Sequence, residues 1–76
     1  MELSIVYSSD NNYAQHVGVS MVSLFENNKE FDEIKVYLID NHISPNNKNK
    51  LNTICETYNR KIRFIEFSDF SSKIKL

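Results

Sequence analysis

Glycine, proline and cysteine each occur once in the 76 residues, and tryptophan does not occur at all. The single cysteine, Cys55, excludes an internal disulfide and is compatible with a reducing cytoplasm. The single glycine, Gly18, excludes a glycine-rich loop wrapped around phosphates, which needs several glycines at fixed spacing. No apolar run approaches the roughly 20 residues that a membrane span requires. The start, Met1-Glu2-Leu3-Ser4, has no basic stretch leading into an apolar run, so no secretory signal is read there. A formal net charge of −1 gives no electrostatic reason to expect nucleic acid or an acidic membrane surface as a partner. What is present is ample Ile, Val, Leu, Phe and Tyr with balanced charge, an ordinary globular composition. The expectation is a soluble, cytoplasmic chain of at most one domain, burying about 60% of its unfolded surface.

The apolar pattern sets the element order. Residues 3–8 are short, apolar and β-branched, as in a strand buried on both faces. Residues 12–28 change to helical spacing, with Tyr13, Val17, Met21, Leu24 and Phe25 on one stripe and Asp10 or Asn11 as N-cap. Gly18 within this helix predicts close helix–strand packing. A second strand is expected over 34–40. Ser44 and Pro45 then give a strong helix start for residues 45–59, as N-cap and first helical position. Leu51, Ile54, Cys55 and Tyr58 share one face of that helix, and Asn59-Arg60 turns it into a third strand over 61–67. The order βαβαβ with short connections demands parallel strands and right-handed crossovers, half of a doubly wound sheet. From Phe67 to Leu76 there is no closing element; that stretch looks like the start of a connection, as in a chain truncated at its C-terminus.

The chemistry concentrates where the first strand ends. In an open α/β sheet, strand carboxyl ends face a crevice, and helices beginning there turn free N–H groups toward it. Asp10 can accept from an imino N–H, Asn12 can donate and accept, and Tyr13 offers a flat face for stacking. These groups suit a base better than a phosphate. Ser8 could bond a ribose or base edge, and Ser9 could contribute its backbone. Each residue also has a plain structural reading: Asp10 as a helix cap, Tyr13 as an apolar anchor, Ser8 and Asn12 as turn residues. On pattern alone the cap is the better-supported role for Asp10. A cap uses one carboxylate oxygen, so both roles can coexist.

Tyr-Ser-Ser-Asp-Asn-Asn-Tyr-Ala-Gln-His-Val-Gly-Val-Ser, residues 7–20, resembles the amino-terminal signature of glycosyltransferase family 8, the retaining transferases that include lipopolysaccharide galactosyl- and glucosyltransferases and the glycogenins. The resemblance continues through residues 37–44 and reaches 63–67. It implies an α/β fold of the GT-A type, in which 1–76 form a single partial domain: the nucleotide-binding, βαβαβ half of a Rossmann-like sheet. It further implies uridine contacts at Ser8, Ser9, Asp10, Asn12 and Tyr13, a UDP-sugar donor, and a glycan or lipid-linked acceptor. The family's Asp-x-Asp motif, which with a later His holds Mn²⁺ or Mg²⁺, lies beyond the third strand; no Asp-x-Asp occurs in this chain. The expectation is therefore half a donor site, with no catalytic residue, no bound metal and no transfer activity of its own.

Other polar residues carry less. His16 is expected on the solvent side of its helix, and His42 as a turn residue where many family members have glycine. Cys55 is expected as a small core residue, and Asp40 as a structural group before a turn. Two other readings compete. A receiver-like signalling module also begins βαβαβ, but it wants a carboxylate pair after the first strand and an Asp closing the third, where this chain has Glu66-Phe67. A non-catalytic interaction fragment would dimerise through strand 3–8, whose edge a halved sheet leaves unpaired.

Overall fold

Each of the three apolar runs becomes a strand, and each connection carries a helix. The structure, a computed structural model, describes residues 1–69. Its elements are β1 (Glu2–Asp10), α1 (Ala14–Asn27), β2 (Glu33–Asn41), α2 (Pro45–Thr57) and β3 (Lys61–Glu66). The strands are parallel in the order β1-β2-β3, with Leu3 beside Ile34, Tyr7 beside Leu38, and Leu38 beside Phe64. The α/β class and the parallel βαβαβ arrangement are those expected. The reading of the tail lies, for residues 70–76, outside the described residues.

Two successive crossovers running the same way across the sheet place both helices on one face. The core forms there. Phe25, Met21, Val17, Ile34, Leu38, Val36 and Cys55 are almost wholly buried, each large apolar side chain contributing roughly 1.5–3 kcal/mol. The other sheet face carries neither helix, although Ile39 is buried there. Along β1, burial alternates instead of holding on both sides: Leu3, Ile5 and Tyr7 are half-buried, while Ser4, Val6 and Ser8 are exposed, Val6 at 66%. The expectation of a strand covered on both faces is thus corrected. Two helices cover only one side of a three-stranded sheet.

Three local expectations also change. The first helix begins at Ala14, with Tyr13 in the N-cap position and no side-chain cap; Asp10 acts one turn earlier. Gly18 meets the other helix, not a strand: a Cβ there would lie 3.4 Å from Ile54 Cδ1 and 3.5 Å from Leu51 Cδ2. The third strand stops at Glu66, one residue earlier than the apolar pattern predicts. The start of α2 is as read, with Pro45 first in the helix and Ser44 Oγ accepting from the Asn47 N–H at 3.2 Å. At its other end Asn59 takes a left-handed φ of 60°. The Asn59 and Arg60 N–H groups then donate to the Glu56 and Cys55 carbonyls, a Schellman closure that turns the chain into β3.

Candidate functional site

Parallel pairing brings all three strand carboxyl ends to one edge of the sheet, where both helices begin. At the end of β1, period-two alternation turns Ser9 toward the helices and leaves Ser8 and Asp10 on the open side. Ser9 is 4% exposed, and its Oγ donates to the Asp10 carbonyl at 2.7 Å. What Ser9 offers a ligand is therefore its main chain. Asp10 Oδ1 accepts from the Tyr13 N–H at 2.8 Å. That bond closes the turn, while Oδ2 makes no hydrogen bond among the described residues. Tyr13 is 57% exposed, an uncommon state for a large aromatic.

Ser8, Ser9, Asp10, Asn12 and Tyr13 line one cleft of about 440 Å³. A larger depression of about 700 Å³ lies between the outer faces of α1 and α2, beside Gly18, Val19 and Ile54. It is mainly apolar and lined by helix residues alone, so the smaller cleft, at the strand ends with its converging polar groups, is the better site.

The second strand ends differently. Asp40 is buried, and both its oxygens are engaged: Oδ1 accepts from the Ile43 N–H at 2.7 Å and Oδ2 pairs with Lys48 Nζ at 2.6 Å. The hydrogen bond to Asp40, reinforced by its charge and that of Glu66, lifts the Lys48 pKa above the ordinary lysine value. Asp40 is structural, as the sequence predicts. Cys55 is also inert, since burial pushes its thiol up to about 11. Among the described residues no three His, Cys, Asp or Glu side chains come together as a metal site.

The glycosyl transferase family 8 profile matches residues 4–75. The chain belongs to glycosyltransferase family 8. Membership leaves the receiver-like reading without support. Among similar proteins are general stress protein A of Bacillus subtilis, 39% identical over 64 residues, and a putative glycosyltransferase of Haemophilus influenzae, 32% identical over 72. Those matches cover 84% and 92% of this chain but 22% and 21% of the relatives, so the chain spans about a fifth of their length. The fold is similar to part of the galactosyltransferase LgtC, solved with donor and acceptor sugar analogues (TM-score 0.58, 23% identity, 92% of this chain and 26% of that one). A Q189E active-site mutant of LgtC matches with a TM-score of 0.57 at 23% identity, over 91% of this chain and 25% of that one.

In this family 8 chain the cleft also includes three residues that the sequence reading passed over or placed elsewhere: His16, Asn41 and Phe67. His16 is exposed, as expected, but its ring lies 5.0 Å from that of Tyr13, tilted by 44°. The i,i+3 spacing from Tyr13 was a usable signal. Asn41 lies beside Asp10 across the strand register, and Phe67 follows β3 directly. Neither has a local signature, because strand register and the end of β3 bring them in. His42 adopts a left-handed φ of 65°, a backbone conformation that glycine takes without steric cost.

Proposed function

We propose that this chain supplies the uridine-binding half of a retaining hexosyltransferase. In the reaction the anomeric C–O bond to the diphosphate of a UDP-sugar breaks, and a glycosidic bond of the same configuration forms to a hydroxyl of a glycan or lipid-linked acceptor. That hydroxyl loses its proton and UDP departs. The observation that carries the proposal is the two-sided use of Asp10. One oxygen fixes the Tyr13 N–H, and the other remains to accept the uracil N3–H. Cytosine has an acceptor at N3 and would leave that carboxylate facing a lone pair, so the pairing selects uracil. Tyr13 stacks on the base. Ser8 and Asn12 bond the ribose or base edge, and Ser9 contributes main chain.

None of these groups performs the transfer. The Mn²⁺ or Mg²⁺ implied by the family resemblance would offset charge on the UDP leaving group, but the described residues bring no metal-ligand cluster together. On this reading, holding that ion falls to other parts of the parent protein. On the same reading residues 1–76 alone transfer no sugar, and the parent works in the cytoplasm. No helix among the described residues is long and apolar enough to cross a membrane.

Titration of the chain with UDP and CDP, followed by NMR shifts, tests the site. UDP is expected to bind at least about tenfold more tightly, with shifts confined to the cleft. Equal affinities would sink the role of Asp10. Tyr13→Ala should weaken UDP by about 1–3 kcal/mol, the usual worth of a base–aromatic stack. Turnover of UDP-galactose or UDP-glucose by residues 1–76 would overturn the prediction of inactivity.

A second reading concerns partners. Among the described residues β1 pairs on one side only, and its nine residues include neither proline nor lysine, the usual protections of an edge. The 76-residue chain should therefore dimerise through this strand. A clean monomer by light scattering at high concentration would exclude that.

A further inference from the structure

Asn11, between the proposed uridine contacts Asp10 and Asn12, has no assigned role, yet among the described residues its side-chain hydrogen bonds reach furthest along the chain. Its Oδ1 accepts from the Ser44 N–H at 2.9 Å and from Asn47 Nδ2 at 2.8 Å, 33 and 36 residues away. A main-chain N–H can only donate, so the atom facing Ser44 is the oxygen.

The two partners are the N-cap and N3 positions of α2. In a complete capping box the N-cap side chain accepts from the N3 N–H, and a Glu or Gln at N3 reaches back to the N-cap N–H. Here the first half is present, since Ser44 Oγ accepts from the Asn47 N–H. The second half is absent from the sequence, because N3 is Asn47, whose side chain is one carbon shorter than Gln. Asn11 supplies the missing acceptor from a different loop.

We propose that Asn11 is a positioning residue. By completing the α2 capping box from the β1–α1 turn, it ties the Asp10–Tyr13 segment to the body of the fold and holds both groups in register for the base. The tie follows from the geometry alone; its effect on base selection rests on the uridine reading above.

Three variants of the full chain separate this role from stability. Asn11→Ala removes the acceptor, and Asn11→Asp keeps it. Asn47→Glu offers Ser44 a local carboxylate that completes the box within α2 and displaces Asn11. Amide hydrogen exchange reads the tie without any ligand. In Asn11→Ala the Ser44 and Tyr13 amides should exchange about tenfold faster than in the parent chain, as expected for local opening. Asn11→Asp should restore both. In Asn47→Glu the Ser44 amide should stay protected and the melting temperature should hold or rise, while the Tyr13 amide is released. Unchanged Tyr13 exchange in both Asn11→Ala and Asn47→Glu would overturn the proposal, and the second variant decides the matter if the first fails to fold.

Binding then reads the consequence. The preference for UDP over CDP should fall about tenfold in Asn11→Ala and Asn47→Glu, and persist in Asn11→Asp. If those two variants keep the preference, positioning by Asn11 is wrong. A parent chain with no preference would instead refute the uridine reading, leaving the tie to be judged by exchange alone.

Discussion

The turns that follow β1 and β2 use the same device to opposite ends. In each, an aspartate at the strand's end accepts from the N–H three residues on: Asp10 from Tyr13 at 2.8 Å, Asp40 from Ile43 at 2.7 Å. After β2 the device is closed. Ile43 is 4% exposed and Lys48 takes the second oxygen of Asp40. After β1 it is open: Tyr13 stands out of the surface and the second oxygen of Asp10 has no partner among the described residues. One residue of register accounts for the difference. Asp40 lies beside Ser9, on the helix-covered face, whereas Asp10 lies beside Asn41, on the bare one. A shift by one position in a strand moves a side chain to the other face. An Asp cap is free to meet a ligand only where the fold leaves its other oxygen exposed.

The strongest break in this comparison would come from truncating both aspartates. Asp40→Ala should cost about 2–3 kcal/mol in urea unfolding, because a buried N–H and a paired lysine lose their acceptor. Asp10→Ala should cost less than about 1 kcal/mol, the range of an exposed cap. Equal losses would mean that the two turns do the same work. A smaller effect of opposite sign is expected at His42. Its left-handed backbone carries a penalty of about 1–2 kcal/mol for an L-residue, partly offset in glycine by unfolded-state entropy. His42→Gly should therefore raise the melting temperature by a few degrees, an increase equivalent to under about 1 kcal/mol. A fall would show that the imidazole makes contacts that hold the closed turn.

The smallest effect lies away from both turns, where two exposed carboxylates, Asp32 and Glu26, are tied to partners. The Met1 ammonium, by hydrogen bond and then by charge, holds Asp32 below its ordinary 3.8. Hydrogen bonds from Lys29 and Tyr58 do the same for Glu26 below 4.5. A depressed carboxyl pKa adds stability above its unfolded value and loses it as pH falls through the folded one. Asp32→Asn should thus lower stability slightly at neutral pH, with the difference shrinking as pH falls below 3.8 through the lower folded value and vanishing in high salt. An effect as large as that of Asp40→Ala would overturn the view that the exposed pairs contribute little.

Local chemistry was legible residue by residue. The start of α2 at Ser44-Pro45, the turn at Asn59-Arg60, the inert Cys55 and the structural Asp40 all follow from side-chain type and spacing. The five residues proposed to contact uridine were legible as a cluster because all fall within residues 8–13. His16 escaped because helical spacing marks a shared face without saying what that face meets. Asn11 escaped because its neighbours in sequence say nothing of Ser44 and Asn47, which reach it only when two parallel strands align their ends.

The sequence by itself determined the order of elements, their parallel pairing and the family, since periodicity, caps and the run 7–20 are properties of adjacent residues. Tertiary structure alone decided which face of β1 stays bare, which aspartate is closed and which open, and which loop completes the cap of α2. Those outcomes depend on strand register and on where two helices can lie across three strands, relations between residues some thirty apart that no local pattern encodes.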